Sequence, residues 1–239
     1  MTPEQRGCFQ DHGLLSLPGF YRSAALEPLR AQVLAEAARL RTRSARKAHA
    51  SLPVFSQSGE LSRRIRIPDL RHRIISDDLV AAMRALAGCP LVPGDDAQLL
   101  LSLPRTVGPA DEVPAWHVDI KADPPDRLPG IQAFVLIDDV VPGGGATRAL
   151  AGSHRIAAAS KPRPDLRGLP SAGAERVRAL ARFGLDEVEM AGRAGDVFLM
   201  DLRVLHAPSP NMSKRMRIMA TSRWFVSSLE PDRRPAERR

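Results

Sequence analysis

The segment Trp116-His117-Val118-Asp119 places a histidine and an aspartate two residues apart. Residues i and i+2 of a β-strand point to the same face, so His117 and Asp119 can offer an imidazole nitrogen and a carboxylate oxygen to one metal ion. A second histidine, His206, follows an apolar run 87 residues after Asp119. Two histidines and one carboxylate on one side of a metal form the facial triad of non-haem iron oxygenases, which leaves coordination positions open for co-substrate and O₂. The sequence therefore predicts a metal site at His117, Asp119 and His206.

A His-x-Asp pair is a weak signal when it stands alone. In a chain with six histidines, chance supplies about 0.4 such pairs, each of them an ordinary histidine beside an ordinary aspartate. His12, His49 and His72 have no matching carboxylate spacing and are predicted to be ordinary polar residues. The elements around the motif therefore have to support the metal hypothesis.

Helical patterns are concentrated in the first part of the chain. Apolar residues at helical spacing predict an amphipathic helix over 24–40, with Ser23 as its N-cap. A second helix is predicted over Asp77–Ala87, because Ser76 can cap it and Gly88 can end it. A third helix is predicted over 172–183.

Strand patterns follow in the second part of the chain. Short apolar or alternating runs bounded by turn residues predict strands over 97–103, 131–137, 196–200 and Arg217–Val226. Strands grouped in this way favour an antiparallel sandwich or barrel with helices packed outside, over a parallel α/β sheet. The predicted fold class is mainly β (α+β), with one domain over 1–229. The polar segment 230–239 is predicted to be a disordered tail.

Several motifs occur in one order along nearly the whole chain, from about residue 9 to 226. They are FQDHGLLSLPGF at 9–20, the His-x-Asp pair, the apolar strand IQAFVLIDDV at 131–140, a glycine turn, ATRALAGSHR at 146–155, GDVF at 195–198, HAPSPNMS at 206–213, and Arg217 eleven residues past His206. This order resembles the phytanoyl-CoA dioxygenase family of Fe(II)- and 2-oxoglutarate-dependent oxygenases.

The resemblance implies a double-stranded β-helix, or jelly roll, with flanking N-terminal helices. It implies Fe(II) bound by His117, Asp119 and His206, with 2-oxoglutarate and O₂ as co-substrates. The implied reaction is hydroxylation of an unactivated C–H bond with release of succinate and CO₂. Asp119 also argues against halogenation, because halogenating relatives have Gly or Ala at that position.

Arg217 lies at the position that the family pattern assigns to the far carboxylate of 2-oxoglutarate. A guanidinium binds a carboxylate in a planar two-point fork that lysine cannot reproduce. Arg215 is the alternative, because in a continuous strand it shares a face with Arg217.

The resemblance also suggests residues around the co-substrate. Ser102 is expected to face 2-oxoglutarate and Gln98 the substrate. Phe134 is expected beside the co-substrate, with a core phenylalanine as the alternative. Where many relatives have a small or hydroxyl residue two positions past the distal histidine, this chain has Pro208. The corresponding hydrogen bond is therefore expected to be missing or to come from Ser209.

Two polar residues in the family motifs are expected to be structural. His154 follows a Gly-Ser turn and is assigned to the fold, not to the metal. Asn211 is expected to hold the loop after His206 through hydrogen bonds between its side chain and the backbone.

The net charge of +8 is concentrated in one segment. Residues 39–73 contain ten basic and two acidic side chains, a balance that itself equals +8. Such a segment is either a solvated surface or a site for an anionic partner. Arg64 and Arg66 are candidates for holding a phosphate or carboxylate of the substrate. The predicted partner is a small molecule, with an anionic group as one option.

Composition disfavours other classes of protein. Aromatic residues are 4% of the chain, with no base-stacking motif, so a nucleic-acid substrate is disfavoured. The apolar runs are too short to cross a membrane, and the first residues lack a secretory pattern. Two cysteines fit a reduced cytoplasmic protein. The remaining rivals are a cupin-type isomerase, a zinc hydrolase or a non-enzymatic binding module. Nothing in the sequence predicts the oligomeric state.

Overall fold

The computed structural model describes residues 1–40, 54–95, 97–104, 116–120, 126–159 and 173–227. Its helices are α1 Pro3–His12, α2 Ser23–Leu40, α3 Val54–Arg64, α4 Leu70–Ile74, α5 Asp77–Ala87, α6 Ser153–Ala159 and α7 Gly173–Arg182. Its strands are β1 Leu14–Leu17, β2 Leu91–Pro93, β3 Gln98–Ser102, β4 Gly130–Leu136, β5 Thr147–Ala151, β6 Asp186–Glu189, β7 Val197–Asp201, β8 His206–Pro208 and β9 Arg217–Val226. The predicted tail at 230–239 and part of the basic segment, 41–53, lie outside the described residues.

Two antiparallel sheets form the core. The larger has the order β1-β7-β4-β9-β2, and β3 also pairs with β9. The smaller has the order β6-β5-β8. A cluster of buried apolar side chains lies between them, including Phe134 and Met219 from the large sheet and Ala149 from the small one. The predicted jelly-roll architecture is confirmed.

The N-terminal helices pack on the outer face of the large sheet. Alternate residues of its strands, such as Leu99 and Ile218, share one buried cluster with Val33 of α2 and Met83 of α5. This alternation follows from the period of two along a strand, which sends neighbouring side chains to opposite faces. The expectation of helices outside a β core is confirmed. No helix in the described ranges is both long and apolar enough to cross a membrane.

Local signals predicted some elements and missed others. Helix α5 has the predicted bounds, with the Ser76 hydroxyl accepting a hydrogen bond from Leu79 N and Gly88 at its C-cap. The predictions omitted the helices α1, α3, α4 and α6 and the strands β1, β2, β5, β6 and β8. Helix α1 buries only Phe9 and is started by a capping box at Thr2. It therefore lacks the apolar stripe on which sequence patterns depend.

Helix α3 covers the free edge of β3. The Ser62 hydroxyl accepts a hydrogen bond from Leu101 N at 3.0 Å, and the Ser58 hydroxyl accepts one from Leu103 N at 3.0 Å. Unpaired N–H groups on an edge strand need partners, and two serines one turn apart supply them. This contact fixes β3, which contributes Ser102 to the site.

Candidate metal centre and co-substrate pocket

A reciprocal backbone contact brings the metal-ligand candidates together. His117 N donates to His206 O at 2.9 Å, and His206 N donates to His117 O at 2.9 Å. In β8, His206 is paired with Ala149 of β5, so the small sheet holds it in place. One ligand atom each of His117, Asp119 and His206 lies within 4.8 Å of the others. The cluster predicted from spacing therefore exists in the structure.

The imidazole of His206 is oriented for coordination through Nε2. Its Nδ1 lies 3.1 Å from Val204 O, so the N–H belongs on Nδ1 and donates to that carbonyl. Its Nε2 lies 3.7 Å from Asp119 Oδ2. Burial lowers the pKa of His206, which favours the neutral ring. A neutral imidazole with a fixed N–H on the far nitrogen is the form that binds a metal.

The two oxygens of Asp119 have different surroundings. Oδ1 accepts a hydrogen bond from Arg223 Nη2 at 2.9 Å. Oδ2 is buried and has no hydrogen-bond partner among the described residues. A buried carboxylate oxygen without a partner is costly, and a cation between Asp119 and the two histidines would satisfy it. Two nitrogens and one oxygen are the donor set of a non-haem Fe(II) site, so these residues fit that metal.

Arg217 is a buried cation at the start of β9. Its Nε donates to Gly145 O at 2.8 Å and its Nη1 donates to Leu100 O at 2.8 Å. Burial lowers the pKa of Arg217 to about 10, so the guanidinium is still charged at neutral pH. Among the described carboxylates, none forms an ion pair with Arg217. Within the described ranges, the positive charge therefore has neutral partners.

Arg215 is separated from Arg217 by the strand boundary. Since β9 begins at Arg217, Arg215 lies in the preceding loop and does not share a strand face with it. Its side chain is exposed, and its Nη2 donates to Asp138 Oδ2 at 2.8 Å. Arg30 Nε lies 3.0 Å from the same oxygen. Of the two candidates, only Arg217 is buried.

Ser102 and Phe134 lie on the inner face of the large sheet. Ser102 is buried and directly opposite Arg217 in the β3–β9 register. The Phe134 ring lies 6.4 Å from the His206 ring and belongs to the buried cluster between the sheets. Gln98 is on the same face of β3 as Ser102, but at the exposed start of the strand. Hence Phe134 is both a core residue and a neighbour of the metal cluster.

Arg64 and Arg66 are exposed surface residues. Arg64 Nη1 lies 3.6 Å from Glu60 Oε1, one turn earlier in α3, and Arg66 follows the end of that helix. Two other arginines of the basic segment make internal contacts: Arg71 donates to Gly94 O, and Arg73 donates to the side chain of Gln32. Part of the basic segment is thus structural.

Three polar residues near the site have structural contacts. The Ser209 hydroxyl donates to Ala146 O at 2.7 Å, so its proton is already used. His154 Nε2 lies 3.1 Å from Gln10 O, and His154 is outside the metal cluster. The Asn211 side chain donates to Ser102 O and Arg215 O. The predicted hydrogen bonds between the Asn211 side chain and the backbone are confirmed.

Two features of the site were missed in the sequence. Trp116 is buried, and the guanidinium carbons of Arg148 and Arg176 lie 5.6 Å and 5.2 Å from its ring centroid. Both arginines form ion pairs with Glu187, so this cluster holds the residue before His117. The second feature is Arg223, whose only signal was its even spacing from Arg217 along one strand.

Comparison with solved structures finds proteins of the same fold. SnoK, a non-haem α-ketoglutarate-dependent carbocyclase from nogalamycin biosynthesis, has 17% identity and a TM-score of 0.60, covering 95% of this chain and 85% of that chain. The epimerase SnoN, in complex with Fe³⁺, α-ketoglutarate and nogalamycin RO, has 22% identity and a TM-score of 0.56, covering 99% and 92%. EvdO2 from Micromonospora carbonacea var. aurantiaca, complexed with 2-oxoglutarate, has 18% identity and a TM-score of 0.57, covering 95% and 91%. No curated protein matches the chain significantly in sequence.

An antiparallel two-sheet core with a His-Asp-His cluster on its inner side defines a class of facial-triad metalloproteins. The profile of the phytanoyl-CoA dioxygenase (PhyH) family matches residues 9–219. The chain therefore belongs to the phytanoyl-CoA dioxygenase family of Fe(II)- and 2-oxoglutarate-dependent oxygenases.

Proposed function

We propose that the chain binds Fe(II) through His117, Asp119 and His206 and 2-oxoglutarate through Arg217, and that it hydroxylates a small-molecule substrate. The observation that carries this proposal is that Arg217 is buried and has no ion-pair partner among the described carboxylates. A buried guanidinium without a counter-ion is unfavourable, and a carboxylate supplied by a ligand removes that cost. The far carboxylate of 2-oxoglutarate is such a ligand.

Bound Fe(II) with 2-oxoglutarate and O₂ supplies the oxidising power, while 2-oxoglutarate becomes succinate and CO₂ and one oxygen atom enters the substrate. The protein residues provide positions and hydrogen bonds. His206 keeps its Nε2 lone pair available because Nδ1–H donates to Val204 O. Arg217 uses two of its five N–H groups on backbone carbonyls. Its other N–H groups remain to donate to a carboxylate.

Ser102 and Phe134 support the co-substrate in this proposal. Ser102 is directly opposite Arg217, so its hydroxyl is placed to donate to the same carboxylate. Phe134 provides an apolar wall next to His206, which keeps water away from the reacting groups. Gln98, at the exposed end of the same face, is assigned to the substrate.

An anionic group on the substrate is proposed to meet Arg64 and Arg66. Both side chains are exposed; Arg64 is the last residue of α3, and Arg66 lies two positions further along the chain. The double variant Arg64→Ala, Arg66→Ala should weaken substrate binding and leave 2-oxoglutarate binding intact. Unchanged substrate affinity would remove these two residues from the site.

The reaction on the substrate depends on how the substrate is placed. SnoK is named a carbocyclase and SnoN an epimerase, so proteins of this fold are not restricted to hydroxylation. Desaturation, epoxidation and ring closure are the alternatives to the proposed hydroxylation. Product analysis by mass spectrometry separates them, since hydroxylation adds one oxygen atom and desaturation removes two hydrogens.

The test of the proposal is anaerobic visible spectroscopy of metal-free protein titrated with Fe(II) and then 2-oxoglutarate. Chelation of iron by the keto acid produces a metal-to-ligand charge-transfer band. Wild type should develop the band and His206→Ala should not. His154→Gln is the matched control, because His154 lies outside the metal cluster, and it should retain the band.

A folded wild-type protein that binds iron but develops no band would contradict the 2-oxoglutarate proposal. The zinc hydrolase, cupin-type isomerase and binding-module alternatives would then be favoured. Retention of the band in His206→Ala would instead show that the metal is bound elsewhere.

A further inference from the structure

Arg223 lies on the same face of β9 as Arg217. The two residues are six positions apart, and an even separation along a strand keeps side chains on one face. That face is the inner one, because Met219, which lies between them on the same face, is buried in the cluster between the sheets. The even spacing thus directs both arginines to the side of the metal cluster.

The contact of Arg223 with Asp119 is specific to one oxygen. Arg223 Nη2 donates to Oδ1, which leaves Oδ2 buried and 3.7 Å from His206 Nε2. A carboxylate held at one oxygen cannot rotate freely about its Cβ–Cγ bond. We propose that Arg223 is a positioning residue that fixes Asp119 so that Oδ2, and Oδ2 alone, faces the metal. This inference rests on the proposed function, since it takes Asp119 as a metal ligand.

The Asp119–Arg223 pair differs from an ordinary surface ion pair. Exposed pairs contribute little, because water competes for both charges. Here the Asp119 side chain is only 10% exposed, and the Arg223 side chain is 36% exposed. The Nε of Arg223 is buried, so the base of the guanidinium is enclosed even though its tip reaches solvent. The pair is therefore partly shielded, and its geometry is restrained.

The residue opposite Arg223 on the neighbouring strand has a fixed side chain. Gln132 of β4 is directly opposite Arg223 in the register with β9. Its Nε2 donates to Thr221 Oγ1, which itself donates to Ala133 O. The threonine hydroxyl has one proton and gives it to Ala133, so it can only accept from Gln132. That fixes the orientation of the amide, and its buried Oε1 has no hydrogen-bond partner among the described residues.

Positioning and charge predict opposite effects on metal affinity. A guanidinium beside a divalent cation repels it, so removing the charge alone should tighten metal binding. Loss of a group that orients a ligand weakens metal binding, typically by about 10- to 100-fold. The sign of the change in dissociation constant therefore decides between the two roles.

The experiment is titration of metal-free protein with Co(II), without 2-oxoglutarate, by calorimetry and by the visible absorption of bound Co(II). The variants are Arg223→Gln and Arg223→Lys, with Arg215→Gln as the control, since Arg215 is an exposed arginine that contacts Asp138. Arg223→Gln should weaken Co(II) binding about 10- to 100-fold and change the Co(II) spectrum. Arg223→Lys should recover part of the affinity, because one donor suffices for Oδ1. Arg215→Gln should match wild type.

Two results would overturn the inference while leaving the proposed function in place. One is tighter Co(II) binding in Arg223→Gln, which would make Arg223 a competitor of the metal. The other is an affinity and spectrum identical to wild type. If wild type itself bound no Co(II) or Fe(II), the proposed function would fail first and this inference with it. Thermal unfolding of each metal-free variant shows whether it is folded.

Discussion

His117 and His206 hold each other through two backbone hydrogen bonds, each donating its N–H to the other's carbonyl oxygen at 2.9 Å. The two residues are 89 positions apart in the chain, and this isolated bridge is the point where the His-x-Asp segment meets the small sheet. A metal ion bound by both side chains would add a second link at the same place. The metal should therefore act on stability as well as on chemistry.

Metal binding should stabilise the fold. A ligand that binds only the native state at 100 times its dissociation constant adds about 2.7 kcal/mol to the free energy of unfolding. Ni(II), which does not start turnover, should produce this increase in urea unfolding of the wild type. Asp119→Ala should lose most of it, because the buried Oδ2 is removed. An equal gain in Asp119→Ala would place the metal at another site.

Replacing Arg217 should weaken 2-oxoglutarate binding selectively. Truncating one partner of a buried, hydrogen-bonded charge pair costs about 2–5 kcal/mol, or about 30-fold or more in affinity. In Arg217→Gln, the 2-oxoglutarate concentration needed for half of the charge-transfer band should rise by that factor, with Fe(II) affinity nearly unchanged. The control is Arg215→Gln, which should behave as wild type. A similar loss in both variants would mean that general charge, not this contact, attracts the co-substrate.

A side chain at Gly145 should lower the free energy of unfolding. Its φ is +81°, and an added Cβ would lie 2.6 Å from Ser102 Oγ and 2.7 Å from Asn211 Cβ. Gly143 has a similar φ of +71°, but nothing lies within 4 Å of its added Cβ. Gly143→Ala should cost about 1 kcal/mol of backbone strain, and Gly145→Ala about 1–3 kcal/mol more from overpacking. Urea unfolding of both variants measures the difference, and equal losses would refute the steric argument.

His154 should make the fold less stable in acid. Burial lowers the pKa of His154 below the ordinary value of about 6.5 that it regains on unfolding. The unfolded state therefore binds more protons, and stability is lost as the pH falls below about 6.5, by at most about 1.4 kcal/mol per pH unit.

The measurement is the free energy of unfolding at pH 7.5 and 5.5 for metal-free wild type and His154→Gln. Glutamine can still donate to Gln10 O but does not titrate. The loss between the two pH values should be smaller in the variant. The same loss in both proteins would assign the acid sensitivity to other groups.

Local sequence signals predicted the elements whose boundaries are determined by residues close to them in sequence. Ser76 and Gly88 determine both ends of α5, because a hydroxyl N-cap and a left-handed glycine act within one turn. Strand β9 was predicted with its observed bounds from its apolar pattern and turns. The His-x-Asp pair was visible for the same reason, since its two members are two residues apart.

Features that depend on strand register were not predictable. Arg223 contacts Asp119 across 104 positions of sequence, and such a contact arises only once the strands are assembled. The start of β9 at Arg217 removed Arg215 from the strand face on which the pattern had placed it. Strand β1 has only four residues and pairs with β7, nearly the whole chain away.

The guanidinium of Arg217 is tied to Gly145 O and Leu100 O, so its position is set by backbone atoms and not by the ligand that it is proposed to bind. Because the guanidinium is held in this way, its distance from the metal cluster is fixed. Such a pocket selects its co-substrate by the distance between the two ends of the ligand. A keto diacid one carbon shorter would fall short of the guanidinium when chelated, and one that is a carbon longer would have to fold to fit.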